Sequence, residues 1–397
     1  MENLKLKNNN KSESKAWIWI AVLILLAIAL VIITWKFVVQ GTNLKTAISP
    51  EAENQKTVQK KSSLKYIRSV KDDENMALNG AHEFGIRGNY LYVTSAQDNG
   101  LAIFDITDPG NPKHIKSISD DEKTLMKKLH SVVFYEHYAI VGSMGDNAIE
   151  VIDISNPADP IPVASLKDDE IMGLKGIHGM SIYGNYLYAN GITDNALEII
   201  DVSDPTHPKH AAALFDNDEL SLKAPHSIAF KDNIAYVVTA NEGIEVLDIS
   251  NPAKPKHIYS FKENEHGHAI DGGHDIEISG NYLYTASYVN GLGIFDITDP
   301  AKPVQIAEIH PTEENGLKSA SDLKVSDRYV FVVSEAGNAV VMIDISNPSN
   351  PLIKSVVKDD GSGTMYLWNG HYVEVFGNYV YVAGMQDGFG ILKYTSQ

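Results

Sequence analysis

The sequence contains no cysteine. That absence removes disulfides, thiolate metal centres and thiol nucleophiles. Also missing are a glycine-rich phosphate loop, a Gly-x-Ser-x-Gly elbow and a His-Glu-x-x-His pair, the usual signatures of nucleotide binding, serine hydrolysis and zinc proteolysis. Carboxylates are plentiful, but no isolated pair stands out for glycoside chemistry. Glycine and proline are too few for a disordered chain. Basic residues are scarce: 33 Lys and Arg face 51 Asp and Glu, a formal charge of −18. The first 63 residues hold nine Lys and four Glu, a local +5, which leaves −23 on the remainder. A body of that sign repels nucleic acid and anionic headgroups, and it favours cations or basic partners. No nucleic-acid partner is expected. The same charge also serves solubility.

One long apolar run is present. Ala16 to Trp35 carries no charge, and Phe37, Val38 and Val39 continue it past Lys36. Some twenty residues rising ~1.5 Å each cross the ~30 Å hydrocarbon layer, so a transmembrane helix is predicted over 16–39. Trp17, Trp19 and Trp35 mark the two interfaces. Lys5, Lys7, Lys11 and Lys15 outnumber Glu2 and Glu13 ahead of the span, which keeps residues 1–15 in the cytoplasm. A cleaved signal peptide is the alternative. Its apolar region would be too long, and no small-x-small site follows Trp35. Residues 40–63 are polar and aperiodic and read as a tether. The expected location is a single-pass cell-membrane protein with residues 64–397 outside the cytoplasm.

That body repeats. Phe104-Asp105-Ile106-Thr107-Asp108 recurs as Ile152–Asn156, Ile200–Asp204, Leu247–Asn251, Phe295–Asp299 and Ile343–Asn347, at intervals of about 48 residues, each followed by proline. Within a unit, four short β-branched and aromatic runs alternate with Asn, Asp, Gly and Pro turns, the pattern of a hairpin meander. A Gly-Asn-type turn marks each unit, at Gly88, Glu136, Gly184, Asp232, Gly280, Asp327 and Gly377. Seven four-stranded units arranged radially make a propeller. The last unit has only three runs, and Lys65–Val70 copies the missing outer strand, so the N-terminal strand is expected to close the ring. The predicted fold class is all-β, a seven-bladed β-propeller over 64–397 preceded by one transmembrane helix.

The repeat Val151-Ile152-Asp153-Ile154-Ser155-Asn156-Pro157 resembles the LVIVD-repeat family of bacterial and archaeal surface proteins, and the resemblance covers essentially all of residues 64–397. It implies a β-propeller at the cell surface and no common reaction. The WD-repeat hallmark is absent, because no Trp follows the pattern and Lys393 replaces the repeated Asp in the seventh copy. The repeated Asp precedes a Ser/Thr-Asn/Asp-Pro turn, where a carboxylate accepts backbone N–H groups, and it reads as scaffold.

A second register lies six residues before each turn: His82, His130, His178, His226, His274, Ser321 and His371. Propeller symmetry sets these side chains in a circle around the channel mouth. Acidic loops precede them (Asp72–Glu74, Asp120–Glu122, Asp168–Glu170), and the loops between second and third strands add Asp98, Asp146 and Asp194 to the same face. Histidine with carboxylate is a ligand set for a divalent metal such as zinc, copper or iron. Against this, each histidine shares the parity of large apolar residues, the opposite parity (Ser131, Gly179, Ser181, Ser227, Ala229) is small or polar, and an apolar anchor stands four residues earlier. That regularity suggests packed imidazoles bonded to a Ser, Thr or Asp of their own blade. The segment Glu265–Asp275 breaks the symmetry by adding His266 and His268 beside His274. An H-x-H pair places both imidazoles on one side, with Asp271 or Asp275 to complete a site. Trp368, outside the membrane span, is a binding hot spot or a cap over the channel.

Two functions follow. The first is a non-catalytic cell-surface propeller that binds an extracytoplasmic protein or cell-envelope ligand on its acidic, histidine-rich loop face. The second is a metal-dependent oxidoreductase or hydrolase built on the histidine ring.

Overall fold

The computed structural model describes residues 62–262 and 270–396. The predicted cytoplasmic tail, membrane helix and almost all of the tether lie outside these residues, as do His266 and His268. Twenty-eight strands form seven four-stranded antiparallel sheets. Blade 1 is typical, with Ala81–Arg87 innermost, then Tyr90–Ser95, Gly100–Asp105 and Lys113–Ser119 outermost.

The turn that opens each meander requires a positive φ at its first residue. Gly88, Glu136, Gly184, Asp232, Gly280, Asp327 and Gly377 all adopt one, between 50° and 61°. Four blades supply glycine's conformational freedom there, while Glu136, Asp232 and Asp327 accept the cost of the left-handed region. The repeated Asp closes the next turn. Asp105, Asp153, Asp201, Asp248, Asp296 and Asp344 each accept the N–H two residues on, at 2.8–3.0 Å. These carboxylates are scaffold.

The ring closes as a strand borrowed across the chain. Ser63–Lys71 pairs antiparallel with Gly388–Thr395, from Ser63 opposite Thr395 to Lys71 opposite Gly388, and completes blade 7. Seven apolar layers lie one between each pair of neighbouring blades. The anchors Leu78, Met126, Leu174, Leu222, Ile270, Leu317 and Leu367 are completely buried in them. In five blades the anchor's N–H is held by an acidic loop residue: Asp72, Asp120, Asp168, Asp216 and Asp359 accept from Leu78, Met126, Leu174, Leu222 and Leu367 at 2.9–3.2 Å. The acidic loops therefore fasten the corners that turn the chain onto the axis.

Candidate functional site

The axis is lined by seven inner strands: Ala81–Arg87, Leu129–Tyr135, Ile177–Tyr183, Pro225–Lys231, Gly273–Ser279, Ala320–Ser326 and Tyr372–Phe376. Each is a sheet edge with unpaired N–H and C=O groups, which must find partners away from water. Side chains of the preceding blade supply them. The Asp275 Oδ2 atom accepts from Leu323 N at 3.3 Å and Asp322 Oδ2 from Val373 N at 2.6 Å. Glu83 accepts from Val132 N at 3.5 Å, Glu277 accepts from Val325 N, and Ser321 donates to the Gly370 carbonyl at 3.0 Å.

The histidines take part in the same lacing, and they form a packed cluster instead of an open ring. Ring centroids of His82 and His130 stand 3.7 Å apart, His178 and His226 4.6 Å, and His226 and His274 4.7 Å. His178 also reaches across the axis to His274 at 5.0 Å and His371 at 6.2 Å. Imidazoles projecting from six of the seven convergent strands meet at the centre, so they fill the channel at this level. His82, His178, His274 and His371 are buried, while His130 and His226 are partly exposed. The expected Ser, Thr or Asp partner within the same blade is not what these rings meet: His226 stays within its blade, but its Nδ1 faces the Ala224 carbonyl at 2.9 Å. His82 and His274 donate from Nδ1 to the next blade, to the carbonyls of His130 (3.0 Å) and Ser321 (2.6 Å). His371 Nδ1 meets Glu335 of blade 6 at 2.5 Å, an oxygen that Tyr288 also reaches at 2.7 Å. Burial pushes the imidazoles of His82, His178 and His274 well below their ordinary range, and takes His130 down to about 3. Neighbouring histidines add to the effect, which favours the neutral form of these four rings.

Below the imidazoles the channel opens into a chamber of about 490 Å³. Its roof includes His226 and His274, and its far end reaches Tyr183, Phe230 and Ile278 near the turns. Exposure rises toward that end, from 6% at Asp322 to 36% of the Lys324 side chain, so the chamber opens on the turn face. The walls differ. Blades 3 and 4 contribute Gly179, Ser181, Ser227 and Ala229, whereas blades 1, 5, 6 and 7 contribute Glu83, Asp275, Glu277, Asp322, Lys324, Tyr372 and Glu374. Five carboxyl groups and one ammonium thus line the chamber. Lys324 Nζ lies 3.4 Å from Glu374 and 3.6 Å from Glu277. Burial works against its charge, but these two carboxylates outweigh it and raise its pKa. The upper tier has no cation. Burial holds Glu83 and Asp322 well above the usual carboxylate range, and the neighbouring Asp275 pushes Asp322 further through its charge and a side-chain hydrogen bond. Ser227 donates to the other oxygen of Asp275 at 2.7 Å. Sequence reading missed this wall because it judged the opposite parity from blades 2 to 4, where those positions are small. Reading the first and third positions after each histidine across all blades exposes it.

The loop-face candidates do not converge. Asp98, Asp146 and Asp194 each accept a backbone N–H, from Asn79, Lys127 and Lys175, at 2.9–3.1 Å. Trp368 is 56% exposed. Asp271 offers its backbone carbonyl to Ser287, and the converging metal-ligand group found among the described residues contains His178, His226 and His274 but not Asp271.

The LVIVD-repeat model matches seven times, at residues 81–120, 128–168, 178–212, 225–262, 272–309, 318–359 and 370–392. The chain belongs to the LVIVD-repeat family. No curated protein matches the sequence. Among solved structures, a catalytically inactive variant of virginiamycin B lyase from Staphylococcus aureus, with quinupristin, is similar at 12% identity, TM-score 0.61, over 83% of this chain and 99% of that one. A putative 6-phosphogluconolactonase from Bacteroides fragilis shares 12% identity, TM-score 0.60, over 77% and 97%. The computationally designed Ika8 protein shares 12%, TM-score 0.56, over 83% and 99%. Neighbours that include enzymes and a designed protein show a common fold and leave the chemistry of this LVIVD propeller to its own residues.

Proposed function

We propose that this protein is a non-catalytic binding propeller, held outside the membrane by its N-terminal segment, and that its ligand is a small cell-envelope molecule bearing a primary ammonium group, bound on the axis. The chamber carries this reading. Five carboxyl groups line the chamber with one lysine among them, and the small wall of blades 3 and 4 leaves room for a second ammonium. Lys324 shows the chemistry such a chamber accepts, an ammonium shared by two carboxylates. A guest ammonium in the upper tier meets Glu83, Asp275 and Asp322, each charge-assisted hydrogen bond contributing about 1.5–3 kcal/mol against loss of hydration.

Titration calorimetry of the full chain in detergent tests the proposal. Butylammonium is expected to bind with one site per chain and butanol not at all, and Glu83→Gln is expected to weaken the amine by about tenfold. Equal heats for amine and alcohol, or a Glu83→Gln variant that binds as the parent does, would overturn it.

A further inference from the structure

The imidazoles above the chamber hold an arrangement that the amine reading does not use. Nδ1 of His82, His226 and His274 faces a backbone carbonyl at 2.6–3.0 Å, and Nδ1 of His371 faces the Glu335 carboxylate. An oxygen that only accepts requires the proton on Nδ1, so in these rings Nε2 carries the free lone pair. Nε2 of His82 and of His371 is buried without any partner, as is Nδ1 of His130 and of His178. A ring that donates one nitrogen to a carbonyl or carboxylate and leaves the other bare is oriented as metal-binding histidines are. Bare buried nitrogens are also costly unless something fills them. Three of the rings, from blades 3, 4 and 5, bring one nitrogen each within 4.8 Å of one another: His178, His226 and His274.

We propose that His178, His226 and His274 bind one first-row divalent transition-metal ion on the propeller axis, through Nε2 of His226 and His274 and a ring nitrogen of His178. Three neutral imidazoles select zinc, copper, nickel or cobalt over calcium and magnesium, which require oxygen ligands. Bonds of ~2.0–2.1 Å in a tetrahedral site bring the nitrogens to roughly 3.4 Å, so the rings turn inward by a modest amount on binding. Because His226 and His274 also line the chamber, the fourth position faces the open end, where an ion arrives past carboxylates that attract it.

The test uses the full chain, purified in detergent without a polyhistidine tag, and cobalt(II) as probe. One cobalt per chain is expected, with the intense visible bands of a four- or five-coordinate site, displaced by zinc and untouched by calcium or magnesium. His226→Gln keeps the volume of a partly exposed position and is expected to weaken cobalt by about 100-fold or more. His207→Ala, at an exposed ring paired with Asp204, leaves binding unchanged. Glu83→Gln, expected to weaken the amine, also leaves cobalt binding intact, so the two sites fail separately. Absence of stoichiometric cobalt, or a His226→Gln variant with parental affinity and spectrum, overturns the assignment. Where His226→Gln melts early, His274→Gln supplies the same reading in a folded chain, since Gln retains a donor for the Ser321 carbonyl.

Discussion

Replacing Lys324 by alanine tests the chemistry of the chamber by removing the one cation it contains. Glu277 and Glu374 lose their ammonium at 3.6 and 3.4 Å. Breaking a buried pair costs about 3–5 kcal/mol, and exposed pairs contribute about 0–1 kcal/mol. With 36% of the Lys324 side chain in solvent, screening places the loss between these limits, at roughly 1–3 kcal/mol. The loss depends on pH. Glu277 is held up at about 7 by burial even with Lys324 beside it, and without the lysine it rises further, so it takes up a proton more readily in the folded state. The penalty is therefore larger at pH 8 than at pH 5.5, where protonation removes the uncompensated charge. The substitution also deletes three methylenes and the ammonium, which is the composition of propylammonium. At ten times its Kd, propylammonium filling that space restores about 1.4 kcal/mol. Urea denaturation of the full chain at both pH values, with propylammonium or propanol added, reads all of these effects. A loss below about 0.5 kcal/mol at pH 8, or equal recovery with propanol, would refute the reasoning.

Glu150 is 2% exposed and burial raises it to about 7, helped by the charges of Asp120, Asp121 and Asp146. Its oxygen accepts the Leu125 N–H, a bond glutamine retains. The folded state holds this proton between pH 4.5 and 7 and the unfolded state does not, so the carboxyl's contribution falls as pH rises through that window. Glu150→Gln is expected to stabilise by about 3 kcal/mol at pH 8 and about 1 kcal/mol at pH 5, measured by urea midpoints; an equal gain at both would contradict the linkage. Leu174→Ala removes a fully buried anchor and is expected to cost about 2–5 kcal/mol in the same assay, against a result within 0.5 kcal/mol if the corner is loosely packed. Asp201→Ala frees the Ser203 N–H, and the expected loss is about 1 kcal/mol with amine and cobalt binding unchanged; loss of either ligand would place function in the repeat motif.

Much of the fold was legible because a period is an overdetermined signal. Six copies of the Asp motif and seven turns fixed the blade count, and Lys65–Val70 matched the missing outer strand that Ser63–Lys71 supplies to Gly388–Thr395. The capping role of Asp105 and its copies was legible too, since a carboxylate before a Ser/Thr turn has few alternatives. The axial site was legible only in part. Position alone named the six histidines, but the radius at which they meet depends on strand tilt, so a ring was expected where a packed cluster exists. Asp275 and Asp322 come from different blades, and nothing local marks two residues so far apart as a pair. The acidic loops have a structural role that nothing local in the sequence marks: Asp98 and Asp168 accept backbone N–H groups of their own corners.

The account places function on the axis of the propeller and not on its loops. A crystal structure of the chain grown with butylammonium decides between them. The prediction is ligand density in the chamber, with the nitrogen within hydrogen-bond reach of Asp275 and Glu83 and the alkyl chain against Gly179 and Ala229. An empty chamber with the ligand instead beside Trp368 and the acidic loops would contradict it.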